Sequence, residues 1–194
     1  MIKTYFGVAL FAILIENVVL VRFLGVCPLL GVTDSKQKTI TMSVAVISTM
    51  VFSSALCWIV NKYVLVRLGL EYLQTLMFIF ITAFIVQFVE MMLKRFYPEI
   101  AKSLGIYVPL ITTNCAILGC VILGIQSGYS FALTVFYGAM SGVSFMLALV
   151  LFTLIRQRIE LSDAIPESFK GTPVLLIAAS LLAMIFSGFS GVSF

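Results

Sequence analysis

The chain has 194 residues, of which 62% are hydrophobic and only 10% are charged, and its mean hydropathy is +1.19. So little polar surface cannot cover a water-soluble globule of this size, which excludes a soluble fold and predicts an integral membrane protein. The net charge of +4 does not indicate nucleic-acid binding, because the basic residues lie at the ends of apolar segments, where they set membrane orientation. The absence of histidine excludes imidazole ligation of haem or zinc.

Long apolar segments predict an all-α protein with six transmembrane helices in one polytopic domain. A helix needs about 20 apolar residues to cross about 30 Å of hydrocarbon, and the uncharged stretch 103–155 is long enough for two. Continuous apolarity, without the alternation of lumen-facing strands, favours helices over a β-barrel. In chain order the expected spans are 5–25, 39–60, 71–92, 103–123, 129–154 and 172–192.

The first segment carries Glu16 and Asn17 near its middle and lacks the features of a cleavable signal peptide, so we expect it to be retained. A carboxylate within a span costs about 2.5 to 3.5 kcal/mol on insertion scales and usually faces the protein interior or a water-filled cavity. Two interpretations are open. These side chains, with Thr113 and Asn114 of the second half, line a path for a cation, or their hydrogen bonds fix helix packing.

Glu90 ends the third span, four and five residues before Lys94 and Arg95. A salt-bridged helix end explains this carboxylate, and a role in ion handling is the alternative.

The basic residues divide unequally between the two faces of the membrane. The richer face is expected to be cytoplasmic, which places both termini outside. On that face lie Lys36, Lys38, Lys94, Arg95, Lys102, Arg156, Arg158 and Lys170, and on the other Lys3, Lys62 and Arg67.

A Cys-x-x-Leu-Gly motif occurs twice, at 27–31 and at 115–119, in the opening segment of each half of the chain. Three spans per half reverse the orientation of the second half, which predicts two inverted repeats, about 1–95 and 96–194, of the kind that place functional sites on broken helices. Helix breakers accompany both motifs: Gly25, Pro28 and Gly31 around Cys27, and Gly105 and Pro109 ahead of Cys115.

Cys27 and Cys115 are therefore candidate metal ligands, although two buried thiols in proline-kinked helices would look the same. Zinc sites and iron–sulfur clusters usually take four protein ligands, so these two thiolates would form half a site. The other half would come from a second copy or a homologous partner. A cofactor there would divide an electron transfer across about 30 Å of hydrocarbon. Cys57 and Cys120 have no counterpart in the other half, and we interpret both as packing residues.

Several longer signatures resemble the RnfA/NqrE family of membrane subunits over essentially the whole chain. They are Ile15-Glu16-Asn17, Phe23-Leu24-Gly25-Val26-Cys27, Val86-Gln87-Phe88-Val89-Glu90-Met91, residues 104–116 with Leu110-Ile111-Thr112-Thr113-Asn114-Cys115, and Phe186-Ser187-Gly188-Phe189-Ser190-Gly191. The short 62–71 connection and Thr113, where valine is expected in the Nqr subunit, favour the Rnf branch over the E subunit of the Na⁺-translocating NADH:quinone reductase.

The resemblance implies a six-helix subunit of the bacterial inner membrane, paired with a homologous, oppositely oriented subunit of the RnfE type. Two cysteines from each subunit would hold a [2Fe-2S] cluster, and the family's positions map onto Cys27 and Cys115. The resemblance also implies a complex with B, C, D and G subunits that couples electron transfer between ferredoxin and NAD⁺ to Na⁺ or H⁺ export. NAD and flavins are expected in other subunits, since no phosphate-binding glycine loop is present here. A small secondary transporter with a midplane site is the competing functional class.

Overall fold

A computed structural model describes residues 2–33, 35–69, 71–96, 110, 114–161 and 171–188. Within these ranges all regular secondary structure is helical and no β-strand occurs, which confirms the all-α prediction for this part of the chain. In chain order the α-helices of six or more residues are α1 Ile2–Leu10, α2 Val26–Gly31, α3 Lys36–Val60, α4 Gln74–Phe96, α5 Cys115–Gln126, α6 Phe131–Glu160 and α7 Thr172–Ser187. A three-residue α-helix, Val66–Leu68, and a 3-10 helix, Glu71–Leu73, lie between α3 and α4.

Three of the described helices are long and apolar enough to cross a membrane. They are Lys36–Leu65, which is α3 with the π-helical turn Asn61–Leu65 that extends it, the Gln74–Met92 part of α4, and α6. The expected spans 39–60, 71–92 and 129–154 coincide with them. The spans expected at 103–123 and 172–192 correspond to the shorter apolar helices α5 and α7, and residues 103–109, 111–113 and 189–192 lie outside the described residues.

The first expected span, 5–25, is too long for the helix that the structure contains. Helix α1 passes into a π-helical turn at Phe11–Ile15, and helical structure ends at Glu16, whose backbone leaves the helical region. Chain direction changes through non-helical residues 16–25 before α2 begins at Val26. The predicted break is therefore present, but it precedes Pro28. This proline lies in the first turn of α2, where a missing N–H is tolerated because no earlier carbonyl requires it.

The long helices α3 and α6 form the centre of the fold. Gly138 and Gly142 of α6 let the two backbones approach closely, because a side chain at Gly138 would collide with Ser54 and one at Gly142 with Ile47 of α3. Small residues at such positions are the usual means of close helix contact in membranes. Since the start of α3 lies beside the end of α6, the two helices run antiparallel, and the hydroxyls of Thr39 and Thr153 are 3.0 Å apart.

The remaining helices pack around this pair. Helix α5 contacts α3, α4 and α6, while α7 contacts α6 and the π-helical turn Phe11–Ile15. The core between them is apolar and includes Phe145 and Phe152 of α6, both fully buried. The outer faces carry large apolar side chains such as Phe80 and Phe84, as lipid-facing surfaces require.

Candidate metal centre and its polar surroundings

A hydrogen bond joins the two segments that carry the cysteine motifs. The backbone N–H of Gly25 donates to Sγ of Cys115 over 2.9 Å. Gly25 caps the start of α2 with φ +83°, a left-handed conformation that glycine adopts without penalty. Because two residues span at most about 7 Å of chain, this contact brings the Cys27 backbone into the neighbourhood of the Cys115 sulfur.

The four cysteines fall into two classes by exposure. Cys27, in the first turn of α2, and Cys115, the first residue of α5, are exposed on the surface of the chain. Cys57 and Cys120 are buried, at 0% and 1% exposure, and their neighbours are helices of the core. Their burial agrees with the interpretation of Cys57 and Cys120 as packing residues. Only the exposed pair is positioned to meet ligands from outside the chain.

A leucine side chain packs against the glycine of each motif, and in each case the leucine comes from the segment before the other motif. Leu24, three residues before Cys27, lies over Gly119, where a Cβ atom would collide with its Cδ1. Leu110, which precedes Cys115, lies against Gly31, where a Cβ would be 3.1 Å from Cδ1. The packing is thus reciprocal. The repeated glycine provides space for the opposite half of the chain, which gives the Leu-Gly part of the motif a physical role.

Asn17, in the non-helical turn after the first helix, and Asn114, directly before Cys115, have comparable hydrogen bonds. Oδ1 of Asn114 accepts from the N–H of Ala116 over 3.0 Å and caps α5, and Oδ1 of Asn17 accepts from the N–H groups of Val19 and Leu20. Both side chains are buried, at 0% exposure for Asn17 and 6% for Asn114, and among the described residues neither Nδ2 donor has a hydrogen-bond partner. The oxygens predicted to meet a cation therefore serve the backbone, while the unsatisfied groups are donors. Thr113 lies outside the described residues.

Glu16 sits at the end of the first helix in an ion pair with Arg22. Its other carboxylate oxygen accepts from the hydroxyl of Tyr137 over 3.4 Å. The Glu16 side chain is 16% exposed and that of Arg22 is 49% exposed, so the pair lies at the edge of the core with the guanidinium outermost. A cation that entered this position would compete with Arg22 for the carboxylate.

Glu90 lies in the last third of α4 and forms the expected ion pair with Lys94, one helical turn later. This partner lies on the same helix as Glu90, which agrees with the interpretation as a salt-bridged helix end.

The far end of α2 is held by Arg156 of α6. The guanidinium donates to the backbone carbonyl of Leu30 over 3.2 Å and to the hydroxyl of Thr33 over 3.1 Å, and it also pairs with Glu160. A cation at the carboxyl end of a helix satisfies carbonyls that lack intrahelical donors. The short helix that carries Cys27 is consequently fixed at both ends, by Gly25 and by Arg156.

Two exposed thiols on adjacent segments fit half of a metal site. Among the described residues, no group of three or more His, Cys, Asp or Glu side chains is arranged to hold a metal ion. Thiolate donors suit a soft ion such as iron in a cluster, and a four-ligand site would need two ligands besides these.

Three residues shape this region although none of them was a predicted site residue. The sequence identifies Gly25 only as a helix breaker, and Arg156 only as a basic residue of one membrane face. Arg22 lies six residues after Glu16 within an apolar segment, and this pairing of opposite charges is a signal that could identify it.

Comparison with known proteins identifies the family of the chain. The family model described as "Rnf-Nqr subunit, membrane protein" matches residues 5–193. The chain is 47% identical over 180 residues, 93% of each chain, to the A subunit of the Na⁺-translocating ferredoxin:NAD⁺ oxidoreductase complex of Acetobacterium woodii. It is likewise 47% identical, with the same coverage, to the A subunit of the ion-translocating oxidoreductase complex of Syntrophotalea carbinolica. The corresponding protein of Psychromonas ingrahamii is 43% identical over 187 residues, which is 96% of this chain and 97% of that one. The chain therefore belongs to the Rnf–Nqr family of membrane subunits.

Proposed function

We propose that this chain is the A-type membrane subunit of an ion pump driven by electron transfer between ferredoxin and NAD⁺. The names of its relatives, which describe ion-translocating oxidoreductase subunits, support this over a secondary transporter and over the Nqr branch. The chain works within a complex that includes a homologous subunit of the RnfE type together with B, C, D and G types. NAD and flavins bind to those other subunits.

Cys27 and Cys115 supply two of the four ligands of a [2Fe-2S] cluster shared with the homologous subunit. The observation that carries this proposal is the 2.9 Å hydrogen bond from Gly25 to Cys115, which holds both cysteine segments together while both thiols remain exposed. Such a cluster supplies a one-electron redox centre within the membrane. The chain's own contribution is to fix the two sulfurs, through Gly25 at one end of α2 and Arg156 at the other.

The chain folds as two inverted three-helix repeats with six membrane crossings and both termini outside the cytoplasm. The packing of Leu24 on Gly119 and of Leu110 on Gly31 supports this, because each half of the chain places a leucine on the motif glycine of the other half. The proximity of the start of α3 to the end of α6 also supports it, since it places Lys36 and Arg156 at the same end of the bundle.

Glu16 contributes to the path of the exported cation, Na⁺ or H⁺, and Arg22 occupies its carboxylate when no cation is there. A partly buried carboxylate at a helix break supports this role. Asn17 and Asn114 shape the breaks on which the path depends, and Glu90 remains a further candidate at the end of α4.

The experiment that tests the ligand assignment is EPR spectroscopy with iron analysis of the complex purified through a tag on this subunit. Cys27→Ala and Cys115→Ala should each abolish the signal of the shared cluster and lower the iron content, because alanine cannot ligate iron. Cys57→Ala removes a buried thiol elsewhere and serves as the matched control, for which the signal should persist. An unchanged [2Fe-2S] signal in both ligand variants would overturn the assignment.

Expression of this chain without its partners gives a second test of the shared site. Two thiolates leave half of the coordination unfilled, so the isolated subunit should contain little or no cluster. A stable stoichiometric cluster in the isolated subunit would contradict sharing, even if Cys27 and Cys115 proved to be ligands.

A further inference from the structure

We infer that the backbone N–H of Gly25 tunes the reduction potential of the centre that Cys115 ligates, by donating a hydrogen bond to the ligand sulfur. The inference rests on the proposed function, because it assumes that the Cys115 sulfur binds iron. It assigns to Gly25 a positioning role that goes beyond that of a helix breaker.

The geometry of the donor supports this role. The N–H of Gly25 lies 2.9 Å from Sγ of Cys115 and comes from the opposite half of the chain. Cys115 is exposed, so the sulfur accepts this bond from inside the protein while the residue still presents a surface to a partner. Gly25 itself is buried, which removes competing water from the donor.

The conformation of Gly25 aims this donor and excludes other residues. Its φ of +83° is one that side-chain-bearing residues rarely adopt. A Cβ atom there would lie 3.0 Å from both Cβ of Ala116 and a ring carbon of Phe145, and 3.1 Å from Oδ1 of Asn114. The alanine variant is therefore strained at φ and crowded by three side-chain atoms, and we expect the resulting adjustment at residue 25 to lengthen the hydrogen bond to the sulfur.

The direction of the expected change in reduction potential follows from the charge that reduction adds. Reduction adds negative charge to the cluster and its sulfurs, and an N–H donor stabilises that charge, so the hydrogen bond raises the reduction potential. Its loss should make the cluster harder to reduce. A tenfold fall in the equilibrium constant for reduction corresponds to about 59 mV for a one-electron couple, which sets the scale of shift expected.

The test is an EPR-monitored redox titration of the purified complex. Gly25→Ala should bind iron at or near the wild-type level but show a midpoint potential more negative than wild type. Gly128→Ala is the matched control: Gly128 also has a positive φ, +66°, but nothing lies within 4 Å of a Cβ there, so the same backbone strain should leave the potential unchanged.

A backbone variant covers the case in which Gly25→Ala fails to assemble. Replacement of Gly25 by glycolic acid, through nonsense suppression, exchanges the amide N–H for an ester oxygen without adding a side chain. It should lower the midpoint potential and leave the iron content unchanged. An ester variant with a full EPR signal and the wild-type midpoint would overturn the inference. Retention of the signal in Cys115→Ala would instead overturn the proposed function, so the two failures are distinguishable.

Discussion

The side chain of Leu24 fills the space beside Gly119 that a Cβ atom at residue 119 would need. Gly119→Ala should therefore force Leu24 to move and destabilise the protein by about 1 to 3 kcal/mol, the usual range for an overpacked core site. Thermal unfolding of the purified complex measures the effect. Because Leu24 adjoins Gly25, the variant should also disturb the contact with Cys115.

A double mutant separates this clash from a general cost of alanine in α5. Leu24→Ala removes the colliding atoms, so Gly119→Ala should cost less in that background than in wild type. Additive effects of the two substitutions would show that Leu24 and Gly119 are not energetically coupled.

Arg156 should control how firmly the Cys27 segment is held. Arg156→Ala removes two hydrogen bonds at the carboxyl end of α2 and leaves the Leu30 carbonyl without that donor, so we expect a loss of about 1 to 3 kcal/mol in stability. The cluster content of the purified complex should fall with it. Arg158→Ala removes the same charge from an exposed position two residues later and should leave both quantities near wild type. Equal effects in the two variants would show that charge alone, and not the bond to α2, is responsible.

The Asn114 side chain should act mainly through its cap on α5. Asn114→Ala removes the acceptor for the Ala116 N–H and should cost about 1 kcal/mol, while Asn114→Ser retains a capping oxygen and should be close to wild type. Hydrogen exchange at the start of α5 reports the cap directly, and it should accelerate only in the alanine variant.

The Nδ2 of Asn114 has no hydrogen-bond partner within the part of the chain that the structure describes, which makes the serine variant informative in a second way. If Asn114→Ser lowers stability or cluster content as much as Asn114→Ala, the amide donor has a function of its own and the capping explanation is insufficient.

If the ion pair of Glu16 with Arg22 serves packing alone, replacing both residues together should cost less stability than replacing one of them. Arg22→Gln leaves a partly buried carboxylate unpaired and should cost about 1 kcal/mol, a modest value because half of the Arg22 side chain faces outward. Glu16→Gln combined with Arg22→Gln should then recover much of the stability.

Cation transport distinguishes the two roles of Glu16. In proteoliposomes, the double variant should retain its cluster and electron transfer but lose coupled cation export, because no carboxylate remains to meet the ion. Normal export by a stable double variant would remove Glu16 from the path.

Thiol reactivity should follow the two exposure classes. In membranes that contain this subunit without its partners, a membrane-permeant maleimide should modify Cys27 and Cys115 much faster than Cys57 and Cys120, which are buried in the core. Mass spectrometry of the labelled peptides provides the measurement. In the assembled complex the exposed pair should become protected, and rapid labelling of Cys115 there would argue against a shared metal site.

Much of the helical framework could be predicted because lipid imposes a simple rule. Apolar segments of about 20 residues must form helices, because a helix satisfies its own backbone hydrogen bonds in lipid. The apolar segments between Lys36 and Glu160 therefore predicted α3, α4 and α6. The position of the break in the first segment was harder to predict. Pro28 suggested its position, yet a proline in the first turn of a helix is harmless, and the chain leaves the helix already at Glu16.

The sequence by itself determined the kind of protein and the residues of interest: apolar helices, scarce charges and a repeated Cys-x-x-Leu-Gly. Such patterns are local: they indicate whether a segment is apolar enough for lipid, whether it forms a helix and where that helix is interrupted. The tertiary structure alone decided which distant groups meet. It joined Gly25 to Cys115, Leu24 to Gly119 and Arg156 to the end of α2, and it separated the exposed cysteines from the buried ones. Those contacts depend on how the broken segments pack against α6 and α5, and short-range spacing carries no information about that packing.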